Sequence, residues 1–131
     1  MLTPLQFDHF ALHVSDLDES SRFYCRAFDL HECGRTEGDA EKYVDASVLL
    51  TDAVGVFRLE LRDELRPLPI YNAHDRECVF IFRASGDFAE WRARHMADGL
   101  WAHDDAETGG YWLRDPDDYE LLVVPDNETN R

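Results

Sequence analysis

The chain has 131 residues and a formal net charge of −15, with 44% hydrophobic and 31% charged residues. This length suits one compact domain or two small repeats that share a core, and the composition is typical of a globular protein rather than a disordered chain. Only 13 residues are basic against 28 that are acidic. The sequence therefore argues against nucleic acids and anionic membrane surfaces as partners, because both are bound by clustered Lys and Arg.

No apolar run approaches the roughly 20 residues that a membrane-spanning helix needs, and the N-terminus lacks the pattern of a secretory signal. The three cysteines include no CxxC pair. This spacing favours reduced thiols over a disulfide framework or a zinc knuckle. We therefore expect a cytoplasmic protein.

The first half of the chain reads as a strand, a helix and three further strands. Residues 7–14 alternate between apolar and polar types and are rich in β-formers, which predicts a strand. Ser15 can cap the helix that follows, with Asp18 three residues on as in a capping box, and this helix should reach Phe28. Three more strands are predicted over 30–37, 43–50 and 55–62.

The second half repeats this order after a polar segment at 63–76, whose two prolines predict a linker. The expected elements are a strand at 77–82, a helix from Ser85 or Asp87 to Asp98, a weak strand at 100–106, and a hairpin of 110–114 and 119–124. Gly99 should end the second helix in a left-handed conformation. Residues 127–131 are predicted to be a polar tail.

The chain is thus predicted to hold two βαβββ modules, at 1–62 and 77–126, related as an internal repeat. One helix cannot cover both faces of a four-stranded sheet. We therefore expect an α+β fold in which the two modules form a curved mixed sheet around an open trough, with the helices outside. The residues that line this trough should decide the function.

Two segments carry a resemblance to a known family. The opening FDHFALHVSDL at 7–17, followed by Ser21-Arg22-Phe23-Tyr24, resembles the start of the vicinal oxygen chelate superfamily. That superfamily includes glyoxalase I, extradiol dioxygenases, and fosfomycin- and bleomycin-resistance proteins. Arg114-Asp115-Pro116-Asp117-Asp118 is similar to the Asp-Pro-Asp-Gly turn before its last strand. The repeat order and the length agree with two βαβββ modules, so the resemblance covers nearly the whole chain.

The resemblance implies a divalent metal held by up to four His, Glu or Gln ligands, on the first and fourth strands of each module. His9 matches the ligand of the first strand, and Glu60 matches the ligand of the fourth. Such nitrogen and oxygen donors suit Mn²⁺, Fe²⁺, Mg²⁺, Ni²⁺ or Zn²⁺. The ion would polarise substrate oxygens, and Glu60 would move a proton as the catalytic group.

The second module departs from the family pattern. Glu77 stands where the family has a ligating His, and Leu122 stands where the family has its last Glu. Glu120 lies two residues before Leu122 and therefore on the same strand face. Glu77 and Glu120 are the predicted remaining metal ligands.

Three further residues are predicted to contact the substrate: His13, Arg62 and Tyr111. His13 occupies the place at which glyoxalase I has an Arg for the glutathione carboxylate, so glutathione is not expected here. By strand alternation either Tyr111 or Trp112 should face the trough. Tyr111 is preferred because it shares parity with Leu113.

The resemblance implies a metal-dependent lyase, isomerase or ring-cleaving dioxygenase that acts on a small molecule. The alternatives are a metal-free protein that sequesters a small molecule, similar to the bleomycin-resistance type, and a non-catalytic member. The intact His9 and Glu60 pair favours the first, whereas the altered second module favours the others. A homodimer is also expected, because open sheets leave strand edges to cover.

Overall fold

The structure is a computed structural model that describes residues 2–42, 45–63 and 79–126. Its contacts divide the chain into two compact units, Met1–Pro69 and Ile70–Arg131. Each unit contains one α-helix and one open four-stranded sheet. The predicted α+β fold of two βαβββ modules is therefore confirmed. Apart from Asp63, the predicted linker at 63–76 lies outside the described residues, as does the tail at 127–131.

The elements follow the predicted order in both units. The first unit contains β1 (Phe10–Val14), α1 (Leu17–Phe28), β2 (His31–Thr36), a 3₁₀ turn (Ala40–Lys42), β3 (Ser47–Thr51) and β4 (Arg58–Asp63). The second contains β5 (Val79–Ala84), α2 (Phe88–Ala97), β6 (Trp101–Asp104), β7 (Tyr111–Arg114) and β8 (Glu120–Pro125). In the described part of the chain, no helix is both long enough and apolar enough to cross a membrane.

The two sheets share one topology. The strand order is β1-β4-β3-β2 in the first sheet and β5-β8-β7-β6 in the second. The first and last strands of each unit pair in parallel, and the other neighbours pair antiparallel. The internal repeat predicted from the order of elements is therefore a repeat of sheet topology as well.

Helix α1 begins one residue later than the capping-box pattern predicts. Asp16, not Ser15, is the N-cap, and its Oδ1 accepts a hydrogen bond of 3.0 Å from the backbone N–H of Glu19. A carboxylate at this place also interacts favourably with the positive end of the helix dipole. In the second unit Gly99 adopts a φ of 73° after α2, as the sequence predicts.

Each sheet has one face that its helix covers, and the opposite face is called the open face below. Leu59 and Leu61 of β4 are buried on the side of α1, which contacts β4 and β3. Glu60 stands between them and therefore lies on the open face. In the second unit Tyr111 and Leu113 are fully buried on the side of α2, which leaves Trp112 on the open face.

Gly110 marks a close approach of two strands at the start of β7. A Cβ atom built on this residue would lie 2.1 Å from the carbonyl oxygen of Val123 in β8. No carbon atom can come so near an oxygen without a bond. The strand pair β7–β8 therefore needs glycine at this position because of space, not because of a left-handed backbone.

Candidate functional site

The two residues that best match the family's ligands lie together on the open face of the first sheet. Strands β1 and β4 are parallel neighbours, with Ala11 opposite Glu60 in the register. This pairing places Nε2 of His9 at 3.2 Å from Oε2 of Glu60. The side chains are 32% and 16% exposed, respectively. The site is thus built from the residue just before β1 and the middle of β4.

The His9–Glu60 pair belongs to a chain of alternating charges. Nδ1 of His9 hydrogen-bonds to Oδ2 of Asp8, whose Oδ1 accepts from Nη1 of Arg58 at 3.0 Å. At the other end, Oε1 of Glu60 lies 3.3 Å from Nε of Arg62. This series of contacting side chains is called the charge chain below and consists of Arg58, Asp8, His9, Glu60 and Arg62.

The charge chain shifts the pKa values of His9 and Asp8. The hydrogen bond to Asp8, followed by the one to Glu60, raises the pKa of His9 above its ordinary value of 6.5. The same hydrogen bond, together with Arg58, lowers the pKa of Asp8. His9 therefore stays protonated to a higher pH than an ordinary histidine, and a metal ion would compete with that proton.

Two of the predicted substrate contacts are neighbours on the same open face. His13 of β1 stands opposite Arg62 of β4 in the register. Both side chains are 43% exposed, and Nε2 of His13 lies 3.8 Å from Oδ2 of Asp45. The structure thus brings His13 and Arg62 together, next to the charge chain.

Tyr111 does not lie where the sequence predicted it. Its side chain is fully buried under α2, its ring lies 5.5 Å from that of Phe88, and its hydroxyl is 2.7 Å from Nδ1 of His95. Burial raises the pKa of Tyr111 to about 12. The prediction of a substrate contact is wrong, because parity with Leu113 places the ring on the helix side of the sheet. Trp112 occupies the open face instead.

The second-unit counterparts of His9 and Glu60 follow when the two parallel strand pairs are aligned at their last pairs, Val14 opposite Asp63 and Ala84 opposite Pro125. Phe10 pairs with Leu59 in the first sheet, as Phe80 pairs with Leu121 in the second. The counterpart of Glu60 is therefore the residue after Leu121, which is Leu122. By the same step back from Phe80, the counterpart of His9 is Val79. Both places in the second sheet are apolar.

Glu120, one of the two remaining predicted metal ligands, does not occupy either of these places. Glu120 is exposed on β8, opposite Val79 and Arg114. Glu77 lies outside the described residues. Within the described ranges, no group of three or more His, Cys, Asp or Glu side chains is arranged to hold a metal ion.

Within the described residues, two donors match the family's metal ligands: His9 and Glu60. A site with one imidazole and one carboxylate is short of the three or four protein ligands that hold a catalytic divalent ion. Both donors already have ionic partners in the charge chain. Asp8, whose carboxylate orients His9, was missed by the sequence reasoning, although its position next to His9 was a usable signal.

Comparison with known proteins agrees with this architecture. The family model described as the glyoxalase/bleomycin resistance protein/dioxygenase superfamily matches residues 6–123. Among curated protein sequences, none matches the chain significantly.

Solved structures match over nearly the whole chain. A glyoxylase/bleomycin resistance protein/dioxygenase domain from Frankia sp. EAN1pec has a TM-score of 0.72 at 21% identity and covers 96% of this chain and 95% of its own. A FosX variant from Listeria monocytogenes, complexed with Mn(II) and 1S,2S-dihydroxypropylphosphonic acid, has a TM-score of 0.71 at 17% identity and coverages of 100% and 98%.

Glyoxalase I of Leishmania major, described as trypanothione-dependent, gives a TM-score of 0.71 at 17% identity, with coverages of 97% and 91%. Identities this low show a shared fold and nothing about activity. The family model, however, spans most of the chain, in agreement with the repeated topology of the two sheets. The chain therefore belongs to the glyoxalase/bleomycin resistance protein/dioxygenase superfamily.

Proposed function

We propose that this protein binds small organic molecules without a metal ion, on the open face of each sheet. The single observation that carries this proposal is the pair Val79 and Leu122, which correspond to His9 and Glu60 when the two parallel strand pairs are aligned. Neither an isopropyl nor an isobutyl group can donate an electron pair to a cation. The same groups provide the apolar contact area that most small-molecule sites use.

The state of His9 supports the same proposal. Asp8 and Glu60 hold its two ring nitrogens, and both carboxylates raise its pKa. A protonated imidazole has no lone pair for a metal, so a raised pKa makes the proton a stronger competitor at this side chain. For a molecule bound on the first sheet, His9, His13 and Arg62 give polar contacts, and Glu60 orients His9 and Arg62.

The experiment is elemental analysis of protein purified without chelator, compared with the double variant His9→Ala/Glu60→Ala. We expect far less than one Mn, Fe, Ni, Zn or Mg ion per chain in both proteins. A stoichiometric ion in the parent that disappears in the double variant would contradict the proposal. Thermal-shift measurements with a panel of small molecules supply the positive half of the test, since a ligand raises the melting temperature of the state it binds.

A second candidate is a metal-dependent lyase, isomerase or ring-cleaving dioxygenase. The 3.2 Å contact between His9 and Glu60 favours it, because an imidazole and a carboxylate are placed side by side. These two residues would hold the ion, with Glu77 and Glu120 as the further candidates, and the ion would polarise substrate oxygens. Glu60 would accept the proton. The elemental analysis decides between the two candidates.

We also propose a homodimer. Three large apolar side chains precede β1 and are almost fully exposed: Leu2, Leu5 and Phe7. Strand β1 is itself an edge of the first sheet. Covering an edge strand and an apolar segment with a second copy removes both from water. Light scattering should give a molecular mass of about twice the 15.2 kDa of one chain. The variant Phe7→Glu should lower the measured mass toward that of one chain.

A further inference from the structure

Four side chains lie next to one another across the open face of the second sheet. In the register, Ile81 of β5 stands opposite Leu122 of β8, and Leu122 stands opposite Trp112 of β7. Trp112 in turn pairs with His103 of β6, and the two rings are 6.3 Å apart. This line of four residues is called the ring row below. It crosses all four strands of the sheet.

The indole of Trp112 lies near the carboxylate of Asp105 and contributes to the lowered pKa of that carboxyl. The carboxylate itself is fixed by the hydroxyl of Thr108, which donates a hydrogen bond of 2.6 Å. The pKa of Asp105 is lowered, mainly by Thr108, so this acceptor stays ionised. The ring of Trp112 also packs beside that of His103, and its exposed part offers a flat, largely apolar surface.

The ring row has an apolar centre and a charged border. Leu122 is buried in the middle, whereas 64% of Ile81 remains exposed. Val79, 42% exposed, lies beside the row on β5. Next to Val79, Glu120 pairs with Arg114 in the register. An apolar surface with a few polar groups at its margin is the usual make-up of a small-molecule site.

We propose that the ring row binds a planar, uncharged ring system of the ligand, which stacks against Trp112 and contacts Ile81. This inference rests on the proposed metal-free binding function and names its ligand class. A second copy of the chain is a poor occupant. A stable protein interface buries about 800 Å² on each partner. The three accessible apolar side chains here, Val79, Ile81 and Trp112, lie beside a charged pair and do not supply that area.

The test uses Nile red, a neutral planar dye whose emission rises in apolar surroundings. We expect saturable binding to the parent protein. Ile81→Glu should weaken the affinity at least tenfold, because the new carboxylate would need to be desolvated beneath the ring. Trp112→Ala should weaken it by a similar factor and Trp112→Phe by less, since a ring remains for stacking.

The matched control is Val56→Glu, which places the same charge on another exposed apolar side chain, in the first unit. It should leave the dye affinity within twofold of the parent. Circular dichroism verifies the fold of every variant. If Trp112→Ala unfolds, Ile81→Glu still tests the inference, because Ile81 is largely exposed and its substitution should leave the fold intact. Parent-like affinity in Ile81→Glu, or equal loss in Val56→Glu, would overturn the assignment.

Two further results distinguish this inference from the proposals of a homodimer and of a metal-free function. If Ile81→Glu turns a dimer into a monomer in light scattering, a second copy covers the ring row and the inference is wrong. If the parent carries a stoichiometric metal but loses dye affinity in Ile81→Glu, the metal-free function fails and the ring row stands as a binding surface.

Discussion

Nε2 of His9 lies 3.2 Å from Oε2 of Glu60, although 51 residues separate the two in the chain. The contact exists because β1 and β4 are parallel neighbours, and the register puts Ala11 opposite Glu60. A parallel pair requires a long crossover connection, here through α1, β2 and β3. The polar site of the first unit therefore depends on the topology of the complete βαβββ module.

The first prediction concerns the charge on His9. Its pKa, measured by NMR titration, should exceed 6.5, and Asp8→Asn should lower it, because Asp8 is the main cause of the shift. A raised pKa adds stability that is full below 6.5 and is lost as the pH rises through the folded-state value. Glu41→Gln, which removes another exposed acid, is the control. An unchanged His9 pKa in Asp8→Asn would contradict the charge chain.

The second prediction tests the register equivalence of the two sheets. The double variant Val79→His/Leu122→Glu gives the second sheet the same pair that His9 and Glu60 form in the first. Val124 stands at the counterpart of Arg62, so the new carboxylate would lack that competing ionic partner. We expect calorimetry to show weak Ni²⁺ or Zn²⁺ binding that is still at least tenfold tighter than in the parent. Without metal, the buried Glu at 122 should cost about 1–3 kcal/mol of stability.

The control for this variant is Val79→Asn/Leu122→Gln, which adds polar side chains of similar size that bind such ions poorly. The equivalence of the two sheets would be wrong if both double variants bound the metal equally. Stability from urea unfolding is compared with and without Ni²⁺, since an ion that binds only the folded state raises it.

The third prediction concerns the buried pair His95 and Tyr111, whose polar atoms are 2.7 Å apart. Tyr111→Phe removes the hydroxyl and takes a hydrogen-bond partner from His95. We expect a loss of about 1–3 kcal/mol in the free energy of unfolding. In a His95→Leu background, Tyr111→Phe should lower the free energy of unfolding much less, because no buried imidazole then loses a hydrogen-bond partner. Equal costs in both backgrounds would show that the hydrogen bond does not contribute.

The fourth prediction concerns Gly110. Gly110→Ala should destabilise the protein by about 1–3 kcal/mol or more, because the added methyl would overlap the backbone oxygen of Val123. Gly34→Ala is the matched control, since its nearest contact would be the Cβ of Leu49 at an ordinary 3.9 Å. Thermal unfolding of the two variants should differ clearly. A Gly110→Ala protein as stable as Gly34→Ala would mean that β7 and β8 can move apart.

The arrangement of elements was predictable from local patterns. Alternation in β4 separates Leu59 and Leu61 from Glu60, and a two-residue side-chain period suffices to place them on opposite faces. The same reasoning placed His9 with His13. The capping residue of α1 was missed by one position, because Ser15 and Asp16 are both good caps and only the backbone path selects Asp16.

By itself, the sequence determined two βαβββ repeats, the His9–Glu60 pairing by resemblance, and the leucine at position 122. Only the tertiary structure decided which face each helix covers, and that decision moved Tyr111 into the core and Trp112 onto the open face. Alternation defines two faces of a strand but carries no information about which one is covered. The alignment of the two parallel strand pairs likewise identified Val79 as the counterpart of His9. Local sequence patterns do not reveal this pairing, because hydrogen bonds between strands far apart in the chain set the register.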